Sequence, residues 1–448
     1  MKAKAIGFIG SHKLSLFLLF SWLIFLPLWL IPNWIEGPFY FVFLSIMFVI
    51  LVGSQLFWIY RIGKVGKKLI SHKSWRRGLA VGGLLVYFFL LAFNLFSGIN
   101  RGSRWNLRAG LLEAPVQIWF VGSMLGFLLI MLLWSVDRLA SAIGGMFNHS
   151  EAPSRSDPPS ASRRRFLEHG AVGLSAFPFV AGTYGLLYCR LNLETTHQRI
   201  VLQHLPKAFD GFRIVQLSDL HISPYMTAEE IRKYVAIANQ LRGDLVVVTG
   251  DFLNYDRATQ GAVVQEVSAL KAPFGVLGCL GNHEYMTRTE ESITRLFAKA
   301  QIRILRQERV PIRSNNEALN LIGIDYEQAR FSMDHEGHLV DWYMEGNESL
   351  VMPGMVNVLL NHNPNAFDRA AELGIDLMLT GHTHGGQLSL EMLHRGLCLS
   401  RFATPYTSGW YRKAGSQLYV NRGIGTISPY IRLGSRPEIT VFELIREG

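Results

Sequence analysis

The chain has 448 residues, 49% of them hydrophobic, and a positive mean hydropathy of +0.19, which is high for a soluble enzyme. The excess lies almost entirely before residue 136, so the second half reads as an ordinary globular α/β chain, long enough to bury its own core. Three cysteines (Cys189, Cys279, Cys398) exclude a disulfide framework or a thiolate zinc site, and much of the net charge of +10 sits in short loops between apolar segments rather than on a nucleic-acid surface.

Four apolar runs come first: Leu14–Trp34, Phe39–Tyr60, Leu79–Ile99 and Val116–Trp134. Each is close to the roughly 20 residues that a helix needs to cross a hydrocarbon layer about 30 Å thick. Backbone polar groups in lipid must be satisfied within the segment, so these runs are predicted helices. Trp29, Trp34, Trp58, Tyr60, Trp119 and Trp134 cluster near their ends, where amphipathic rings suit the interface. The loop Arg61–Arg77 carries Arg61, Lys64, Lys67, Lys68, Lys73, Arg76 and Arg77 with no acidic residue, which places it in the cytoplasm. The N-terminus then lies inside and Asn100–Pro115 outside. None of the four runs contains an internal Asp, Glu, Lys or Arg, which argues against a transporter. The bundle is expected to anchor, position or admit a lipid substrate.

Residues 137–190 form a connecting region. Asn148–Ser162 is Pro/Ser-rich, as a flexible linker is. It leads into Ser162-Arg163-Arg164-Arg165-Phe166-Leu167-Glu168 and an uncharged, mildly apolar run from Gly170 to Tyr188, which resembles a twin-arginine export signal. Read instead as a fifth transmembrane helix, it sends the chain the same way, with everything after Arg190 on the outer face. A re-entrant or buried helix would leave that half in the cytoplasm. No A-x-A site follows, and a retained anchor is the favoured reading.

After residue 200 short β-rich runs alternate with amphipathic helical stretches, the pattern of βα units around a sheet. Each apolar strand ends in a polar cluster. Arg213–Ser218 leads to Asp219-Leu220-His221, and Leu245–Thr249 to Gly250-Asp251-Phe252-Leu253-Asn254. Gly275–Leu280 leads to Gly281-Asn282-His283-Glu284, Val356–Leu360 to Asn361-His362, and Leu377–Thr380 to Gly381-His382-Thr383-His384. Ligands in open α/β folds sit beyond strand carboxyl ends, and glycines there let the backbone turn sharply. Carboxylate, amide and imidazole suit hard or borderline divalent metals such as Mn²⁺, Fe²⁺ or Zn²⁺. Two such ions can clamp a phosphoryl group and activate a water for in-line attack.

The series D-x-H, G-D-x-x-N, G-N-H-E, a lone His and G-H-T-H resembles the calcineurin-like metallophosphoesterases, over roughly Arg213 to Glu443. It is most similar to the bacterial phosphodiesterase branch that often has a transmembrane or twin-arginine N-terminus. The segments Leu418–Gly425 and Arg436–Ile439 look like that branch too. The resemblance implies a two-sheet αββα sandwich over residues 191–448, behind an all-α transmembrane region of four to five helices whose first four fill residues 1–136. It also implies that Asp219, His221, Asp251 and His384 hold one divalent metal, and Asp251, Asn282, His362 and His382 a second, with Asp251 as the bridge. His283 would face the scissile phosphate and stabilise or protonate the leaving oxygen. Asn254 departs from the phosphoprotein-phosphatase branch, where an Asp pairs with that histidine; an amide orients His283 without charge-pairing.

His204, His335, His338 and His394 lie outside any motif and read as surface residues, Asn361 and Thr383 as turn residues or supports for the ligands. Arg422, at a strand end, reads as a salt-bridge residue before a phosphate contact. Tyr326–Glu348 reads as a loop near the site mouth. The leading function is an envelope phosphoesterase cleaving phosphodiester or pyrophosphate bonds, on a lipid-linked substrate because the site is tethered to a membrane. The competing readings are a cytoplasm-facing hydrolase of a nucleotide-activated lipid (a UDP-diacylglucosamine-type pyrophosphatase) and a non-catalytic metal-dependent sensor. The full set of ligands argues against the sensor.

Overall fold

The computed structural model describes residues 38–96, 102–147, 173, 176–326, 332–333, 339–340, 344–389, 398–402 and 404–447. The predicted span Leu14–Trp34 and the motif Arg163–Phe166 lie outside them. The chain forms two compact units, Met1–Phe89 with Trp119–Val180, and Leu90–Ile118 with Ala181–Gly448.

Long helices occupy Pro38–Leu69, Lys73–Phe96 and Ala114–Phe147, covering the described parts of the second, third and fourth predicted spans. Leu79, Val81, Leu85, Val86 and Phe89 are all exposed, so this apolar surface has no protein covering it among the described residues. By length and composition, the described helical stretch that qualifies to cross a membrane is Arg108–Val136. The first unit also contains a polar cluster. Gln55 Nε2 donates to Ser123 Oγ at 2.9 Å, and Gln55 Oε1 accepts from Trp119 Nε1 at 2.7 Å and Tyr87 Oη at 3.2 Å. Trp58 Nε1 donates to Ser123 O at 2.8 Å. Hydrogen bonds of this kind hold apolar helices together where burial offers no driving force.

The second unit is built on two six-stranded mixed sheets. The first runs, in spatial order, β1 (Glu194–Leu202), β14 (Glu438–Arg446), β2 (Arg213–Leu217), β3 (Leu245–Thr249), β4 (Val276–Cys279) and β5 (Arg303–Ile304). The second runs β12 (Gly409–Lys413), β13 (Ser416–Val420), β11 (Leu377–Thr380), β10 (Asn357–Leu360), β7 (Glu317–Gly323) and β6 (Glu308–Ser314). A separate hairpin pairs β8 (Ser332–Met333) with β9 (Leu339–Val340). Every residue of Leu245-Val246-Val247-Val248-Thr249 is buried, which is why the run is continuously apolar rather than alternating.

One core lies between the sheets, with Ile214, Val247 and Leu277 from the first facing Leu321, Val358 and Leu379 from the second. The outer face of the first sheet is covered by helices Ala228–Gln240, Gln260–Val267 and Glu290–Lys299 through Ile231, Val235, Val263, Ile293 and Phe297. Phe367 and Ala370 of helix Phe367–Glu372 cover the second sheet. Helix Ala228–Gln240 starts on a capping box, Thr227 with Glu230. The apolar run before Arg190 is helical over 176–187. Gly182, Gly185 and Leu186 are buried and both glycines pack near Ile431, whereas Phe177, Val180, Tyr184 and Leu187 are exposed.

Candidate metal centre

β2, β3 and β4 are mutually parallel in one sheet, and β10 and β11 are parallel in the other. Their carboxyl ends deliver the predicted residues to one place. The turns there do not work quite as the glycines implied. Asp219 (φ 52), His221 (φ 47), Asp251 (φ 53), His382 (φ 76) and His384 (φ 52) themselves adopt the left-handed conformation. Such backbone costs about 1–3 kcal/mol per residue and persists where the surroundings over-determine it. Gly281 and Gly381 serve for room instead: a Cβ would stand 2.2 Å from Asp251 Oδ1 at the first and 2.1 Å from Asp219 Oδ2 at the second.

The predicted ligands Asp219, His221, Asp251, Asn282, His362, His382 and His384 converge, with His283 beside them. Asp219, His221 and His384 form one cluster; Asp251, His362 and His382 form another; His221, Asp251 and His283 form a third. His384 Nε2 is 3.4 Å from Asp219 Oδ1, and His221 Nε2 is 3.4 Å from Asp251 Oδ2. His362 Nε2 is 3.1 Å from Asp251 Oδ2, and the Nε2 atoms of His221 and His384 are 3.0 Å apart. His382 Nδ1 lies 2.9 Å from Asn282 Oδ1. Ligand atoms bound to one ion at about 2.0–2.2 Å stand roughly 3 Å from one another, so these spacings fit a divalent cation.

The ring orientations fit as well. His221 Nδ1 is held by Leu253 O at 3.1 Å and His362 Nδ1 by Thr249 O at 2.7 Å. A carbonyl accepts only, so each ring carries a proton on Nδ1 and leaves Nε2 as the atom that faces the centre. His362 Nε2 is buried with no hydrogen-bond partner. Burial, with His283 adding to it, keeps His221 well below the usual histidine range; burial and His221 do the same to His384. Burial and His362 push His382 down to about 3. Neutral imidazoles facing two buried carboxylates are what a metal requires of its ligands.

Several contributors carry no sequence signal of their own. The buried Glu284 carboxylate accepts from the backbone N–H groups of Asp251 (3.0 Å), Leu253 (3.0 Å) and Gly281 (2.9 Å), tying two ligand loops together. Its place in G-N-H-E was the only hint. Glu284→Gln sets an amide donor against a backbone donor, a mismatch worth about 1–3 kcal/mol. The expected result is a lower melting temperature by several degrees and a 10–100-fold weaker metal affinity, the usual effect of losing a ligand's support. Thermal melts and metal titration check it; unchanged affinity contradicts the role. Tyr255 lies 4.8 Å from His283, and Tyr326 5.6 Å from His382, ring to ring, so Tyr326 itself borders the site; residues 327–331, 334–338 and 341–343 lie outside the described residues. Fully buried Arg432 places Nη2 3.1 Å from His384 Nδ1 and donates to Arg422 O at 2.9 Å, bracing the loop that passes beneath Asp219. Arg422 is taken by Glu438 (2.7 Å) and Glu194 (2.8 Å), the salt-bridge reading. Thr383 receives the Gly385 N–H at 3.3 Å, a turn role, and His204 is exposed. His335, His338 and His394 lie outside the described residues.

A family profile for calcineurin-like phosphoesterases matches residues 212–386. The metallophosphoesterase YkuE of Bacillus subtilis is 31% identical over 290 residues, covering 63% of this chain and 97% of its own. Phosphodiesterase YaeI of Escherichia coli is 27% identical over 292 residues, 63% of this chain and 99% of that one. A transmembrane protein with a metallophosphoesterase domain from Danio rerio is 28% identical over 267 residues, 58% of this chain and 59% of its own. Motif order, a shared centre for the five blocks, and these likenesses agree, and the chain therefore belongs to the calcineurin-like metallophosphoesterase family as a metal-dependent phosphoesterase.

Proposed function

We propose that this chain uses two divalent ions (Mn, Fe or Zn) to hydrolyse a phosphodiester or pyrophosphate bond in a lipid-linked substrate, at the outer face of a bacterial inner membrane. The observation that carries the reading is that Asp251 belongs to two clusters at once, one with His221 and His283 and one with His362 and His382. A carboxylate with two oxygens suits a bridge. The first ion is assigned to Asp219, His221, Asp251 and His384, the second to Asp251, Asn282, His362 and His382.

Bound ions supply Lewis acidity toward a phosphoryl oxygen and a hydroxide near neutral pH. The remaining work falls to the chain. His283 is fixed at both ends, its backbone N–H donating to Asp251 Oδ1 at 2.9 Å and its Nδ1 to the backbone carbonyl of Asn254, not to the side-chain amide that the sequence suggested, which instead bonds Tyr430. With Nδ1 committed, Nε2 is the atom that hands a proton to the leaving oxygen.

Support for the outer face comes from one contact and one loop. Ser103 O accepts from Ala228 N at 2.9 Å, so the stretch after helix Lys73–Phe96 packs as part of the catalytic unit. The basic loop at the other end of that helix is the cytoplasmic one by its charge. The exposed apolar helices and the transmembrane naming of the Danio rerio relative support the membrane tether.

A reporter fused after residue 300 tests the side: activity of a cytoplasm-only reporter overturns it. Metal analysis of the purified protein, with a bis-p-nitrophenyl phosphate assay in Mn²⁺ against phosphodiester and pyrophosphate lipids, tests the chemistry. Lipid phosphodiesters and pyrophosphates turned over no faster than the soluble ester would remove the lipid-linked part.

Metal uptake should depend on pH in a stated direction. Without metal, burial raises Asp219 to about 6, with Asp251 adding and His362 opposing. Burial disfavours the charged form of His362, but Asp251 and Asp219 outweigh it and raise His362 to about 10. A cation needs the His362 lone pair, so binding near neutrality expels a proton, and below about pH 6 a second proton on Asp219 competes as well. Apparent affinity should therefore rise from about pH 5 to 8. Calorimetry in buffers of different ionisation heat measures the proton release; none released contradicts the assignment.

A further inference from the structure

Tyr430 joins the candidate centre to a part of the chain that the sequence makes a loop between two apolar helices. Its backbone N–H donates to Gln117 Oε1 at 2.9 Å, across 313 residues of sequence. Its ring lies flat on Tyr225, centroids 3.9 Å apart and planes at 14°. The Tyr225 hydroxyl donates to Ala109 O at 3.0 Å, and Trp105 meets the Tyr225 ring edge-on at 5.4 Å. Gly102 N donates to Asp256 Oδ2 at 3.0 Å. Residues 102–117 thus hold the Tyr225–Tyr430 stack and the loop through Asp256, all within one compact unit.

On its other side Tyr430 reaches toward the chemistry. Its hydroxyl accepts from Asn254 Nδ2 at 2.8 Å, and the Asn254 carbonyl is the acceptor for His283 Nδ1. Asn254 is buried and its Oδ1 has no hydrogen-bond partner. Among the described residues, the orientation of that amide rests on the Tyr430 hydroxyl.

We infer that Tyr430, clamped by residues 102–117, is a positioning residue for His283, so that the stretch between the apolar helices and the first turn of helix Ala114–Phe147 complete the active site. This rests on the reading of His283 as proton donor. Three links act in series: Gln117 and Tyr225 fix Tyr430, Tyr430 fixes the Asn254 side chain, and the backbone carbonyl of the residue so fixed keeps the His283 ring pointing at the leaving oxygen. Freed from the hydroxyl, the Asn254 side chain loses its anchor, and the loop carrying the Asn254 backbone carbonyl, the acceptor that sets the imidazole's tautomer and angle, loosens. Misplacement of a catalytic group by about 1 Å costs on the order of 100-fold in rate.

The test uses full-length protein in detergent, with Tyr430→Phe, Gln117→Ala and His283→Ala beside wild type. Tyr430→Phe keeps the ring stack and removes only the hydroxyl. For an alkyl phosphodiester, kcat should fall roughly 10–100-fold, with KM and bound metal within about twofold. The limb of the kcat–pH profile that vanishes in His283→Ala should shift in Tyr430→Phe. Gln117→Ala should move the same limb by less, and it serves if Tyr430→Phe does not fold. A purely structural tyrosine lowers melting temperature or metal content and leaves that limb in place, which overturns the proposal. A crippled His283→Ala beside wild-type kinetics in the other two overturns the positioning role alone. Full activity in His283→Ala removes the proton-donor reading, and the positioning role falls with it.

Discussion

Asp251→Ala is expected to abolish metal binding and to drop hydrolysis of bis-p-nitrophenyl phosphate in Mn²⁺ to background. The carboxylate sits where both clusters meet, its Oδ2 3.4 Å from His221 Nε2 and 3.1 Å from His362 Nε2, while Oδ1 receives the His283 N–H at 2.9 Å. Removing it takes a ligand from each proposed ion and a negative charge from between them. Losing an outer support of a ligand costs about 10–100-fold in metal affinity, so loss of a shared ligand should exceed about 100-fold. Asp251→Asn separates charge from shape. It keeps the volume and one oxygen, and it should also fail to retain metal if charge is what counts. Metal content after dialysis and circular dichroism of the same samples distinguish lost ligation from lost folding. Equal activity in wild type and Asp251→Ala removes the two-metal mechanism.

His283→Ala should behave in the opposite manner, keeping its metal and losing turnover. The ring stands 4.5 Å from that of His221, close to the centre, but its Nδ1 is spent on the Asn254 carbonyl. General acid catalysis is worth about 10²–10⁴ in rate, and its value grows as the leaving group worsens. The defect should therefore be large for an alkyl phosphodiester and smaller for p-nitrophenyl esters, whose leaving oxygen needs little help. Equal defects on both substrates would show that proton donation is not the role. Loss of bound metal would make His283 a ligand instead. Because Asn254 offers His283 only its neutral backbone carbonyl where a carboxylate would charge-pair, the fall should lie toward the lower end of that range.

Which residues form the centre was legible because ligands have to be specific side chains at strand ends, and strand ends announce themselves. Leu245–Thr249 and Leu377–Thr380 begin and end in the structure where the apolar runs begin and end. The support was not legible. Glu284 is one acid among many until its oxygens meet three backbone donors from two loops. Gln55 carries no charge to mark it in the sequence, although a half-buried amide with four partners is what apolar helices use as glue. Tyr326 and Tyr255 bore no motif, and their rings border the centre at His382 and His283.

By itself, then, the order of residues determined the family, the β–loop–β rhythm and the ligand types, since these depend on local periodicity and on chemistry within a few positions. Only the tertiary structure decided that the ligand residues themselves take left-handed backbone, that Arg432 braces His384, and that residues 102–117 belong with the catalytic unit. Those are contacts between groups up to 313 residues apart, as in Gln117 with Tyr430, and no local pattern encodes which distant partner will satisfy a buried donor.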